Sequence, residues 1–133
     1  MRRKLSTILA QQEFQRLYRI APDSARVHQL MAELHHVRGD AVNEEREYRA
    51  ALEREPNLIP ALTGLGDLER ERNQCTEAVM VYSKAAALAP RDYDALYGQA
   101  ACAVMGRDYA KAIPLLRQAV EIDPGSKIGR AHV

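Results

Sequence analysis

Residues 57–90 read NLIPALTGLGDLERERNQCTEAVMVYSKAAALAP, and this stretch has the pattern of two short amphipathic helices closed by a proline. The stretch is 34 residues long, and prolines recur at that interval along the chain: Pro22, Pro56, Pro90 and Pro124. A fixed period of this length is typical of an array of stacked units. It is not the pattern of a chain that folds around one closed core.

Other positions recur with the prolines. Alanine stands five residues before three of them, and a large apolar or aromatic residue stands eight before all four: Ala51, Ala85 and Ala119; Phe14, Tyr48, Tyr82 and Leu116. Within residues 57–90, the order and spacing of one set resembles the tetratricopeptide repeat: Leu62, Leu65, Gly66, Ala78, Tyr82, Ala85 and Pro90. The resemblance covers almost the whole chain. It implies an all-α fold, a right-handed α-solenoid of antiparallel helix pairs with a 34-residue period.

This register predicts how the chain is divided. Residues 1–24 are the second helix of an incomplete repeat, and three full repeats follow at 25–58, 59–92 and 93–126. Residues 127–133 form a tail that breaks the pattern from Ile128 onward and resembles the translation of a common sequencing adapter. We therefore set the tail aside as non-native and expect the chain to be a fragment of a longer array.

Charge and hydropathy narrow the classes of partner. Nineteen Lys and Arg against eighteen Asp and Glu give a net charge of +1, so no global field favours nucleic acid or an anionic membrane. No apolar run approaches the length of a membrane span. The basic start at Met1 is followed by too short an apolar run for a signal peptide. We expect a cytoplasmic protein, with the alternative that a leader is missing.

Cysteine and histidine are the residue types that could indicate a metal site or a disulfide. Cys75 and Cys102 are 27 residues apart and have no further Cys or His at metal spacing, so the sequence predicts two reduced, part-buried thiols. His28, His35 and His36 lack the H-E-x-x-H pattern and are interpreted as packing or surface residues. With no catalytic or nucleotide motif either, we expect neither an enzyme nor a cofactor.

Short polar residues and glycine predict the helix boundaries. Asp23 and Ser24, Asp40 and Asp92 can each accept hydrogen bonds from the free N–H groups of a first turn. Gly39 can take the left-handed conformation that ends a helix.

Some positions follow or break the small-residue pattern of the family. Gly66 holds the place where two helices approach closely, and Ala32 and Ala100 hold it in the neighbouring repeats. Glu44 stands where the family favours a small residue, so we expect looser packing there or a side chain tilted to solvent. Pro114 lies inside a predicted helix and should bend its axis.

The resemblance also implies a binding surface, because in this family the first helix of every repeat lines a concave groove. The matching positions here are Arg26, Gln29, Glu33, His36, Thr63, Asp67, Arg70, Glu71, Asp94, Tyr97, Ala101, Val104 and Met105. This groove is mixed in charge and apolar at one end. There, Tyr97 and Met105 either anchor a partner side chain or are covered by a further repeat.

Chaperone-binding members of the family grip a carboxylate-ended peptide with groove Lys and Asn residues. The corresponding positions here lack that set: Gln29, Glu33, Thr63, Asp67, Asp94 and Gly98. The resemblance thus predicts a protein–protein interaction scaffold that binds a peptide or helix in the groove and is not a co-chaperone. Two alternatives stay open. One is a targeting or regulatory region of a larger enzyme or transport protein, and the other is a solenoid that self-associates through its open ends.

Overall fold

The computed structural model describes the backbone of residues 2–125 and the side chains of residues 8–125. Those residues form helices joined by short turns and include no strand: α1 Arg2–Ile20, α2 Ala25–Val37, α3 Ala41–Arg54, α4 Ile59–Glu71, α5 Cys75–Leu88, α6 Tyr93–Met105 and α7 Tyr109–Ile122. The expected all-α architecture of repeated helix pairs is confirmed. The tail that begins at Ile128 lies outside the described residues, so its assignment stays a prediction.

The helices fall into two compact units. The N-terminal unit ends at Ala61, and within it α2 packs against α1 and α3. The C-terminal unit begins at Leu62, inside α4, and within it α6 packs against α5 and α7.

The turn inside each helix pair has one backbone form. Gly39, Asn73 and Arg107 all adopt a positive φ, of 74°, 61° and 59°, and they lie 34 residues apart. In each turn the next residue donates its N–H to the carbonyl five residues back, at 2.8 or 2.9 Å. This hydrogen bond satisfies a carbonyl that the helix end would leave free. The predicted helix stop at Gly39 is therefore confirmed, and the turn repeats without glycine at the other two places.

Side-chain caps begin most of the helices. Ser24 Oγ accepts from the N–H of Val27 at 3.2 Å, and Asp40 Oδ1 accepts from the N–H of Asn43 at 3.2 Å. Asp92 caps α6 in the same way at 3.0 Å. The predicted caps at Ser24, Asp40 and Asp92 are confirmed.

Glu44 was expected at a loosely packed or solvent-facing position, and the solvent-facing alternative is wrong. Glu44 is only 4% exposed. Its Oε1 atom lies 3.2 Å from Nδ1 of His36 on the preceding helix. A carboxylate is tolerated at this depth because a partner offsets the loss of hydration. α7 continues through Pro114 as one helix, and the predicted bend there stays a prediction.

Candidate functional site

The ring of Tyr82 is the centre of the C-terminal unit. It extends from α5 between Gly66 of α4 and Gly98 of α6 and is fully buried. A methyl group at Gly66 would lie 2.7 Å from Tyr82 Cε1, and one at Gly98 would be closer still to the ring. Both positions are too close for any Cβ atom. The two glycines therefore form a slot in which a tyrosine ring fits, and the predicted close approach at Gly66 is confirmed.

The phenol oxygen of Tyr82 emerges from this slot into a polar cluster. The hydroxyl donates a hydrogen bond to Oδ1 of Asp67 at 2.5 Å. It accepts one from Nε of Arg70 at 3.2 Å, and Nη2 of Arg70 lies 3.5 Å from the same carboxylate oxygen. Burial and the Asp67 carboxylate together raise the pKa of Tyr82 far above its ordinary value, so the hydroxyl keeps its proton.

Arg70 connects this cluster to α6. Its guanidinium carbon lies 5.7 Å from the ring centroid of Tyr97, within the range of a cation–π contact. Tyr97 in turn stacks on Tyr93 with 5.8 Å between ring centroids. Asp67, Arg70 and Tyr97, all predicted groove residues, are thus held together. Each of these three side chains has a contact that fixes its orientation before any ligand arrives.

A second carboxylate adds negative charge beside this cluster. Asp94 stands in the first turn of α6, and partial loss of hydration raises its pKa, helped by the carboxylates of Asp67 and Asp92. Such a carboxylate gains from any cation that comes near it. Farther along the same helix, Val104 and Met105 are exposed by 42% and 49%. α6 therefore presents an acidic N-terminal end and an apolar C-terminal end.

The predicted groove residues of the N-terminal unit contact other groups of that unit. Arg26 lies 3.5 Å from Glu13 of α1, and His36 pairs with Glu44. Gln29 is 2% exposed, and its Nε2 donates to Oε1 of Glu33 at 3.2 Å. The structure therefore brings the predicted residues into two sets, each within one unit.

The remaining predicted positions differ in exposure. Thr63 is buried, Glu71 is exposed and Ala101 is half-buried. A partner could contact Glu71 and Ala101 directly, whereas Thr63 would have to be uncovered first.

Comparison with known proteins bears on this arrangement. The sequence model of the tetratricopeptide repeat matches residues 63–127. Residues 63–127 are therefore similar to tetratricopeptide repeats. A solved structure with a similar fold is the first TPR of Spaghetti (RPAP3) bound to the HSP90 peptide SRMEEVD, with a TM-score of 0.76 and 14% identity over 81% of this chain and 86% of that one. No curated protein matches the chain.

The tetratricopeptide pattern did not predict the role of Gly98 in packing. In the sequence analysis, Gly98 was only one of the positions where a peptide-binding Lys or Asn is missing. Its 32-residue distance from Gly66 does not match the repeat period, so the two glycines do not occupy equivalent positions. They meet the same ring from successive first helices. A signal was available in principle, because glycine inside a helix is costly and usually has a packing reason.

The histidines of the first full repeat all face carboxylates. Nδ1 of His28 lies 2.6 Å from Oε2 of Glu47, and its Nε2 lies 2.9 Å from Oδ1 of Asp23. Arg54 donates to that Asp23 oxygen at 2.6 Å. His35 lies 3.7 Å from Asp40. Within the described residues, no group of three or more His, Cys, Asp or Glu side chains could hold a metal ion.

The expectation of two separate reduced cysteines is wrong. Cys75 and Cys102 are joined as a disulfide, with 5.5 Å between their Cα atoms. The spacing rule looked for partners close in sequence, whereas these two residues meet because the start of α5 packs on the later part of α6. Disulfides are rare in cytoplasmic proteins, so the bond weighs against the expected cytoplasmic location. None of the described helices is long and apolar enough to cross a membrane.

Proposed function

We propose that this chain is a non-enzymatic protein–protein interaction scaffold and that α4 and α6 of the C-terminal unit hold an extended segment of a partner. The observation that carries the proposal is the fixed cluster of Asp67, Arg70 and Tyr97 at the open end of the Tyr82 slot. Side chains that are already ordered lose little conformational entropy on binding, which favours affinity from a small surface.

The chemistry along α6 indicates what kind of segment would fit. Asp94 and Asp67 favour a basic side chain, and the apolar end at Val104 and Met105 favours an aliphatic or aromatic one. Asp94 and Met105 are eleven residues apart on one helix, which places them roughly 16 Å apart at 1.5 Å per residue. An extended peptide covers that distance in about five residues. We therefore propose a ligand with a basic and an apolar side chain about five residues apart.

The same cluster argues against an acidic ligand. The similar TPR of Spaghetti is bound to a peptide that carries Glu-Glu-Val-Asp. Here, Asp67 and Asp94 add negative charge to the proposed site, and Arg70 is already occupied by Asp67, Tyr82 and Tyr97. A carboxylate-rich peptide would meet like charge, which reduces binding.

Peptide display against the full chain tests the proposal. Selected peptides should share the basic and apolar pair, and calorimetry should show about tenfold weaker binding to Asp94→Asn and to Tyr97→Ala, since each removes one anchor. Glu121→Gln, on an exposed part of α7, is the matched control and should bind as wild type. Selection of acidic peptides, or equal binding to all variants, would contradict the proposed site.

A second candidate function, self-association, is supported by α7. Tyr109 and Ile113 are exposed by 56% and 48%. The residues 34 positions earlier, Cys75 and Val79, pack against a buried cluster that includes Cys102 of α6. This face of α7 is thus the kind that another helix covers. Sedimentation should show concentration-dependent dimers that Ile113→Lys abolishes, whereas a monomer at all concentrations would exclude the idea.

A further inference from the structure

The disulfide ties the two helices that build the candidate site. Cys75 is the first residue of α5 and is half-buried, whereas Cys102 lies inside α6 and is 5% exposed. Sγ of Cys75 also lies 3.7 Å from Sδ of Met105, at the apolar end of α6. Bond formation therefore fixes the start of one helix to the last turns of the next.

The surroundings suit two thiols as well as a disulfide. The cluster around the bond consists of Ala78, Val79 and Tyr82 together with the cysteines themselves. A reduced cysteine behaves as a small hydrophobe in such a place. The same apolar neighbours remain when the bond is absent, so we expect the C-terminal unit to fold without it.

The two sulfur atoms differ in access and in charge stabilisation. Cys75 is open to solvent in part, and it stands at the N-terminal end of α5, where the helix dipole and free N–H groups stabilise a thiolate. The residue before it, Gln74, forms no side-chain cap with those N–H groups. Cys102 has no comparable helix end and is shielded. A small disulfide should therefore react first at Cys75.

We propose that Cys75 and Cys102 form a reversible redox site that exchanges with a small disulfide of the glutathione class and, when oxidised, clamps α6 to α5. In the oxidation, the Cys75 thiolate attacks glutathione disulfide, which gives a mixed disulfide and one glutathione thiolate. The Cys102 thiol then loses its proton and attacks Sγ of Cys75, which releases the second glutathione. Two protein thiols are oxidised and one glutathione disulfide is reduced to two glutathiones.

A titration of the folded full-length chain tests this site without any partner, so its outcome is separate from that of the proposed function. Samples equilibrated at stepped ratios of reduced to oxidised glutathione are quenched by alkylation, and intact mass counts the free thiols. We expect both thiols to disappear together as the buffer becomes oxidising. We also expect the oxidised protein to melt about 10 °C higher, from the loop that the bond closes.

Single variants separate the roles of the two sulfurs. Cys102→Ala should trap one glutathione on Cys75, whereas Cys75→Ser should leave Cys102 unmodified. The double variant, Cys75→Ser with Cys102→Ala, should keep the helical circular dichroism of the reduced protein, which checks that the cluster packs without the bond.

The following results would overturn the proposal. The first is that the disulfide does not form at any glutathione ratio. The second is that the disulfide can be reduced only in denatured protein, which would make it a permanent bond. Glutathione trapped on Cys102 in preference to Cys75 would refute the assigned order of reaction. Loss of helix in the double variant would show that the fold needs the bond.

Discussion

The two units place a basic side chain at the same repeat position, and it has a different partner in each unit. His36 of the N-terminal unit and Arg70 of the C-terminal unit are 34 residues apart. His36 turns to the buried carboxylate of Glu44, whereas the position equivalent to Glu44 is Ala78, and Arg70 turns to the hydroxyl of Tyr82. The N-terminal unit joins this helix pair through a contact between an imidazole and a buried carboxyl group, whereas the C-terminal unit uses small residues around an aromatic ring. The partner of the basic residue therefore differs together with the residue at the position of Glu44 and Ala78.

The largest effect should come from closing the Tyr82 slot. Gly98→Ala places a methyl group within 3 Å of Cζ of Tyr82, and the ring has little room to shift because a Cβ at Gly66 would also lie within 3 Å of it. We expect a loss of about 2 kcal/mol in unfolding free energy, from overpacking that exceeds the better helix propensity of alanine. Urea denaturation measures it.

Gly106→Ala is the matched control for this substitution. The nearest heavy atom to an added Cβ there is 3.6 Å away, so the stability should change little. Adding Tyr82→Leu to Gly98→Ala should recover part of the loss, because the smaller side chain makes room. Equal costs for Gly98→Ala with and without the ring would show that the slot is not the cause.

The next effect concerns the polar end of that ring. Tyr82→Phe keeps the ring but removes the hydroxyl that bonds to Asp67 and Arg70. We expect the free energy of unfolding to fall by about 1.5 kcal/mol, the lower end of the range for hydrogen bonds to charged groups. Ligand affinity should fall as well, because Arg70 is then less well fixed over Tyr97. If Tyr82→Phe bound the selected peptides as tightly as wild type in calorimetry, the Tyr82 hydroxyl would not contribute to the proposed binding surface.

A smaller effect is expected in the turns. Arg107 holds a left-handed conformation that costs a side chain about 1 kcal/mol, so Arg107→Gly should stabilise the C-terminal unit by up to that amount. Gly39→Ala is the converse change in the N-terminal unit and should destabilise by a similar amount. Thermal melts of both variants check the pair. The same sign for both would contradict the shared turn geometry.

The smallest effect should distinguish the units by pH. Partial burial opposes the charging of His28, but the carboxylates of Glu47 and Asp23 outweigh it and raise its pKa above 6.5 despite the nearby Arg54. The folded state therefore holds the proton more tightly than the unfolded state. Its stabilisation is complete below pH 6.5 and disappears as the pH rises through the raised value.

Amide hydrogen exchange at pH 6 and pH 8, corrected for intrinsic rates, measures this difference. Protection of α2 and α3 should fall at the higher pH, while that of α5 and α6 should not. In His28→Gln, the pH dependence of α2 and α3 should be reduced. A uniform loss in both units would mean that the cluster around His28 is not responsible.

Sequence was sufficient for features that are local or periodic. The proline register predicted helix ends, short polar residues predicted caps, and Gly66 predicted a close approach. Sequence was insufficient where residues on different helices meet although their separation in sequence is not a multiple of the 34-residue period. Cys75 with Cys102 and Gly66 with Gly98 are such pairs. The expectation for Glu44 was wrong for a related reason, because its partner His36 lies on the preceding helix.

The slot around Tyr82 makes that ring a gauge of internal motion. A Cβ at Gly66 or at Gly98 would lie within 3 Å of the ring, so we expect the ring to rotate about its own axis only when α4 and α6 separate. The rate of ring flips measured by nuclear magnetic resonance would therefore report how often α4 and α6 separate. Slower ring flips in the oxidised than in the reduced protein would show that the disulfide between Cys75 and Cys102 restrains this motion.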